Sequence, residues 1–213
     1  MGHLFAWLCE REAFPFESCL KSEQAEIILR ARSGDLDACR QIHEDYARRI
    51  LNFIYKMVDS REDAEDLTQN VFLRSFQELR NLHDPERFEP WLFRIARNEV
   101  YQAFRKKRGE PQKSEAAGPG RQSELQEPES PDFRQTPQDR MLSDELGATI
   151  RTVLRSLPPK LREVFVLAVI HEKSYAEISE IVGRSLLSVK TDIFRARGYA
   201  RKELSQYLEV QKR

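Results

Sequence analysis

Apolar residues return three and four positions apart through most of the chain, and the strict alternation of a half-buried strand is absent. That pattern predicts an all-α protein. From residue 22 onward it resolves into separate helices. Ser22 can cap a short helix over 23–32, and Gly34 and Asp35 open a longer one through Val58. The apolar stripe of the second helix is Ile42, Tyr46, Ile50, Phe53, Ile54 and Met57. Ser60 caps a third helix running to about Leu79, with Asp63 three residues on, as a capping box requires. "NLHDPERFEP" reads as a loop punctuated by Pro85 and Pro90, and a fourth helix follows it.

The pattern then stops. Residues 110–139 are dominated by Pro, Gly, Ser, Gln and Glu, with seven acidic against three basic residues, and only Leu125 and Phe133 could anchor a core. Such a stretch cannot bury enough apolar surface to fold and reads as a linker. Helical periodicity resumes over 140–156, breaks at Pro158-Pro159, and returns from 159 to about 171. The expected architecture is two helical domains, 22–109 and 140–213, joined by a flexible acidic linker, with residues 1–21 as an N-terminal tail.

The last segment has a recognisable layout. Ser174 and Glu177 can form a capping box, Gly183 can take a left-handed turn, and Ser185 can cap a longer helix. Short helix, glycine turn, longer helix is a helix-turn-helix. Ile178, Val182, Val189 and Ile193 stand where the two helices must pack. At 100° per residue Ser188, Thr191 and Arg195 share another face, flanked by Lys190 and Arg197, where they could read base edges in a major groove. Residues 184–213 hold eight basic and three acidic residues, the positive charge that phosphates attract.

Composition narrows the class. The chain has 213 residues, 33% of them charged, and a formal net charge of zero, so local charge matters more than the total. No apolar run approaches the roughly 20 residues of a membrane span, and the first residues lack the basic start of a signal peptide. Cys9, Cys19 and Cys39 are odd in number and form no CxxC pair, which favours free thiols in a reducing cytoplasm over a disulfide frame or zinc site. The four histidines are scattered, and no glycine-rich phosphate loop or nucleophile-base constellation is present, so no enzyme and no cofactor is expected.

Two stretches carry candidate chemistry. "RFEPWLFRIARNEVYQAFRKKRG", residues 87–109, mixes five aromatics with seven basic residues. On a helical wheel Phe88, Trp91, Leu92, Ile95, Ala96, Val100 and Ala103 fall on one broad, core-forming side. Arg94, Arg97, Tyr101, Arg105 and Arg108 gather on the other, a basic face with one aromatic that suits a phosphate backbone and an unpaired base. "DSREDAEDLTQ" holds Asp59, Glu62, Asp63, Glu65 and Asp66. No histidine stands beside these acids at ligand spacing, so a metal site is not expected. Acids in a first turn also complement the helix dipole.

At this point the chain resembles a known family. "LPPKLREVFVLAVIHEKSYAEISEIVGRSLLSVKTDIFRAR" is similar to the promoter −35-binding domain of bacterial sigma factors. "DAEDLTQNVFLRSFQEL" followed by "WLFRIARNEVYQAFRKKR" is similar to their −10-binding and core-binding domain. Two such domains with only an irregular linker between them resemble the extracytoplasmic-function (ECF) class. The resemblance implies a cytoplasmic protein whose partners are core RNA polymerase, promoter DNA and an anti-sigma factor, without membrane insertion. It implies that the acidic helix docks on the polymerase through Asp63, Glu65, Asp66, Gln69, Phe72 and Arg74. It makes Asn98 a −10 base reader beside Arg94, Arg97, Tyr101 and Arg105, and adds Arg184, Ser185 and Phe194 to the −35 residues. Ser179 and Asp192 depart from the family pattern. The competing expectation is a stand-alone helix-turn-helix regulator with a helical partner-binding domain.

Overall fold

A computed structural model describes residues 15–58, 60–108 and 150–211. Among them there are only helices and turns. The first block consists of α1 (Pro15–Arg32), α2 (Leu36–Val58), α3 (Arg61–Glu78) and α4 (Phe88–Lys107). The second consists of α5 (residues 150–156), α6 (Pro159–Phe165), α7 (Tyr175–Val182) and α8 (Leu186–Gln211). The expected linker and the expected helical residues 140–149 lie outside the described residues. No described helix is long and apolar enough to cross a membrane.

The stripe anticipated on α2 is the centre of the first block. Ile42, Tyr46, Ile50, Phe53, Ile54 and Met57 are all buried, with Phe53, Ile50 and Ile54 fully so. Burying a side chain of this size contributes roughly 1.5–3 kcal/mol. Phe53 meets Phe93 of α4 edge-to-face at 5.5 Å, and Tyr46 meets Phe88 at 5.3 Å. The entry to α2 is fixed locally: Gly34 takes φ +99°, and the Asp35 carboxylate accepts the Asp37 and Ala38 amides. The Arg30 guanidinium also pairs with Asp35 at 2.7 Å and holds its carboxyl below the usual range.

Three helix boundaries differ from expectation. α1 starts at Pro15 and runs through Ser22, so Ser22 is no cap. Proline suits a first turn, and nothing in "FESCLK" stops the helix afterwards. α4 starts at Phe88, leaving Pro90 inside its first turn, where a missing N–H costs nothing. The helix expected over 159–171 is α-helical only to Phe165 and continues as a π turn over Val166–Ile170. There the His171 amide donates to the Val166 carbonyl, and Glu172 follows at φ +50°.

The helix-turn-helix is built as the pattern predicts. The Ser174 amide donates to Glu177 Oε2 at 2.8 Å, and the Glu177 amide donates to Ser174 Oγ at 3.2 Å. Gly183 takes φ +65°, ψ +35° and ends α7. Both departures from the family pattern have structural work. The Ser179 hydroxyl donates to the Arg184 carbonyl across the turn, and the Asp192 carboxylate pairs with the Arg184 guanidinium.

The two blocks pack on one another. A single apolar cluster runs through both, from Ile28 to Ala196, with α7 lying against α4 and α6 against α2. The His171 ring, delivered by the π turn, sits edge-to-face against Phe93 at 5.1 Å and Phe53 at 6.0 Å.

Candidate nucleic-acid interface

α4 divides as its wheel predicts along most of its length. Phe88, Leu92, Ile95, Ala96 and Val100 are buried, and Trp91 is packed against them. Arg94, Asn98 and Arg105 are exposed on the opposite side. Phe93, left off the core side in the wheel, is fully buried at the junction with the second block.

Arg108 is exposed as well, whereas the remaining two members of the basic face are engaged. Arg97 forms an ion pair with Glu163 of α6, whose side chain has no solvent exposure. Tyr101 donates its hydroxyl to Glu163 Oε2 at 3.0 Å, and the Arg97 guanidinium lies 4.7 Å from the Tyr101 ring centre. Burial, then the Glu163 charge, pushes the Tyr101 hydroxyl above its ordinary range. Burial likewise raises Glu163, against the pull of Arg97 and Tyr101. Arg184 approaches the same carboxylate at 3.7 Å. Arg184, expected on the −35 face, is thus held between Glu163 and Asp192.

The rest of the α8 face is open. Lys190, Thr191, Phe194, Arg195 and Arg197 are exposed, Ser185 is exposed at the helix start, and Ser188 is half-buried. Ser185 Oγ accepts the Ser188 amide at 3.3 Å, which caps α8. Phe194 is 80% exposed and Leu187 75%, a large apolar display on a helix otherwise basic on that side. Leu187 was missed in the sequence because it reads as one more core leucine.

On α3 the expected docking residues separate into three groups. Asp66 and Gln69 are exposed, with Leu73 at 60% exposure one turn further on. Asp63 pairs with Lys107 at 2.6 Å, which keeps its carboxyl below the usual range, and Glu65 pairs with Arg61 at 2.7 Å. Arg74 bonds Glu78 at 2.8 Å and Glu99 at 3.0 Å. Phe72, expected on the docking surface, is buried, with its ring 4.7 Å from that of His43. Ser60 caps α3 through the Asp63 amide, but the Asp63 carboxylate goes to Lys107, so the capping box is only half formed.

Other contacts between the blocks are polar as well. Lys173, almost fully buried, pairs with Glu89 of α4 at 2.7 Å and lies 5.7 Å from the Phe93 ring. Arg162 donates to the Met57 carbonyl at 2.9 Å. His171 Nε2 is buried without a hydrogen-bond partner among the described residues. Burial, then the cations Arg49 and Lys173, pushes this ring from 6.5 down to about 4. The packed form therefore binds fewer protons here than the separated blocks. The stability His171 adds is fully present above pH 6.5 and is lost as the pH falls towards about 4. Melting curves between those limits should fall less steeply in His171→Leu than in the wild type. Parallel curves would show that the ring takes no part.

The comparisons with known proteins follow this geometry. The family model for Sigma-70 region 2 matches residues 42–110, and that for Sigma-70, region 4 matches 148–198. The first range contains α4, and the second contains α8 as far as Gly198, which includes Lys190, Arg195 and Arg197. The ECF RNA polymerase sigma factor SigW of Bacillus subtilis is 33% identical over 83% of this chain and 94% of its own. The RNA polymerase sigma-H factor of Pseudomonas aeruginosa is 26% identical over 88% and 97%. Among solved structures, CnrH in complex with the cytosolic domain of CnrY superposes with a TM-score of 0.63 at 23% identity, covering 86% of this chain and 97% of that one. The sigma factor RpoE of Bartonella quintana, in complex with the anti-sigma factor NepR, gives 0.57 at 21% identity, covering 78% and 96%. With both sigma regions present in order and a relative similar over nearly its whole length, this chain belongs to the ECF class of sigma factors, which direct RNA polymerase to promoters.

Proposed function

We propose that the first block, within residues 22–109, binds core polymerase through α3 and the −10 strand through α4, and that the second, within 140–213, binds the −35 element through α8. Residues 110–139 connect them. The observation that carries this reading is the exposed row of Arg94, Asn98 and Arg105 on a helix whose other side is core. Arginines there meet phosphates, and the Asn98 amide is the group that can exchange hydrogen bonds with a base edge. Lys190, Arg195 and Arg197 serve phosphates and base edges of the duplex in the same way. The protein acts by binding alone, in the cytoplasm, without a catalytic step.

An anti-sigma factor is the proposed negative partner. Both solved relatives above are complexes with a second protein, CnrY in one and the anti-sigma factor NepR in the other. Recovery of polymerase and no other stable partner from native cells would count against this.

Run-off transcription with core polymerase tests the reading. Asn98→Ala should lose about 1–3 kcal/mol of discrimination at one −10 position. Arg105→Ala should instead weaken every template and flatten the salt dependence. Equal loss by Asn98→Ala on all −10 variants would remove Asn98 from base reading.

A further inference from the structure

α8 has two unlike sides. Val189, Ile193, Ala196 and Ala200 are buried on the inner one. On the outer one stand Phe194 and Leu187, two of the three most exposed large apolar side chains described. At 100° per residue Leu187, Thr191 and Phe194 fall within about 60° of one another, so they form a stripe along the helix. Lys190 and Arg197 border that stripe on one side and Arg195 borders it on the other, all of them exposed. The middle of the stripe offers no free proton. The Thr191 hydroxyl donates to the Leu187 carbonyl at 2.9 Å and so is occupied within the helix.

A single exposed leucine needs no explanation. An apolar stripe with basic borders does, and it fits one feature of duplex DNA. Phosphates line both walls of the major groove, and the C5-methyl of thymine is the apolar group on its floor. The first residues of a recognition helix are the ones that reach base edges, and Leu187 is the second residue of α8. The basic borders favour DNA over a protein as the occupant.

We propose that Leu187 is a specificity-determining residue of the −35 interface, packing on the methyl of one thymine while Phe194 packs on that of a second. The inference rests on the reading of α8 as the −35 helix. Seven residues separate the two side chains, about 10 Å along an α-helix. At ~3.4 Å per base pair the two thymines stand about three base pairs apart. Lys190, Arg195 and Arg197 hold the helix on the backbone, and the methyl groups decide which sequence it fits.

The test uses the full chain with core polymerase and a promoter that this holoenzyme transcribes, randomised across its −35 element. Transcripts should come from templates with thymine at two positions about three base pairs apart, on either strand. Deoxyuridine, which differs from thymidine only in lacking the methyl, is then placed at each position of the preferred template. Open-complex formation by the wild type should fall about fourfold at each, the effect of one buried methyl-sized group. Leu187→Ala should ignore deoxyuridine at one position and still respond at the other, and Phe194→Ala should show the reverse. Both side chains are exposed, so neither substitution touches the core. Equal use of thymidine and deoxyuridine by the wild type, or a Leu187→Ala variant that still senses both methyls, overturns the proposal. A Leu187→Ala variant that binds core polymerase more weakly with its deoxyuridine response unchanged also overturns it, because the stripe is then a protein contact. Selection of no −35 sequence at all would instead overturn the underlying reading of α8.

Discussion

Asp66→Lys combined with Leu73→Asp should reduce affinity for core RNA polymerase by about thirtyfold or more, the scale on which a truncated hot spot costs 2 kcal/mol. Asp66, Gln69 and Leu73 follow one another three and four residues apart on the exposed side of α3. An acid and a 60%-exposed leucine on one stripe offer both the charge that steers encounter and the apolar area that holds a complex. Neither side chain supports the core, so the fold should be unchanged. Asp63 is the poorer target, because Lys107 already occupies it at 2.6 Å. Glu65→Gln, which frees only the surface pair with Arg61, should have a small effect. Competition binding against a labelled sigma factor measures these differences. Undiminished affinity in the double variant would take the docking face away from α3.

A shortened linker should produce a different failure. A free chain of thirty residues, the length of 110–139, would have a relaxed end-to-end distance of about 30 Å and a fully extended reach of about 100 Å. Two promoter elements a little over one and a half turns of B-DNA apart are separated by roughly 55 Å. Deleting about 15 residues leaves a maximal reach near 50 Å. The variant should keep both helical blocks and still bind core polymerase, yet lose transcription from promoters that require both elements. Replacing the seven acidic residues by Gln or Asn keeps the reach and isolates the charge. Full activity of the shortened chain would end the argument from reach.

The helices, the α2 stripe and the helix-turn-helix were legible because each is written in local terms: a period, a cap, a glycine. Gly183 announced its own left-handed turn, and Ser174 and Glu177 their own box. The exposed half of the α4 face, Arg94, Asn98 and Arg105, was legible for the same reason. What escaped depends on partners far along the chain. Arg97 and Glu163 are 66 positions apart, and nothing in "LREVF" separates a buried glutamate from a solvated one. Phe72 was assigned to a contact surface because resemblance gives a role to a position without saying which way the side chain points. The π turn left no signal either, since "VLAVI" continues a helical pattern without a break. Yet it delivers His171 to the junction.

The shared apolar cluster has a thermodynamic consequence. Because Phe53, Phe93, Val164 and Ile178 belong to one continuous interior, neither half of the closed chain can melt without exposing surface that the other half buries. Heat should take the closed protein apart as one cooperative unit despite its two-part construction, with calorimetric and van't Hoff enthalpies nearly equal. Once the halves part, that coupling disappears, and each must stand on the smaller interior it keeps for itself. The chain with its halves parted is therefore also the less heat-resistant one.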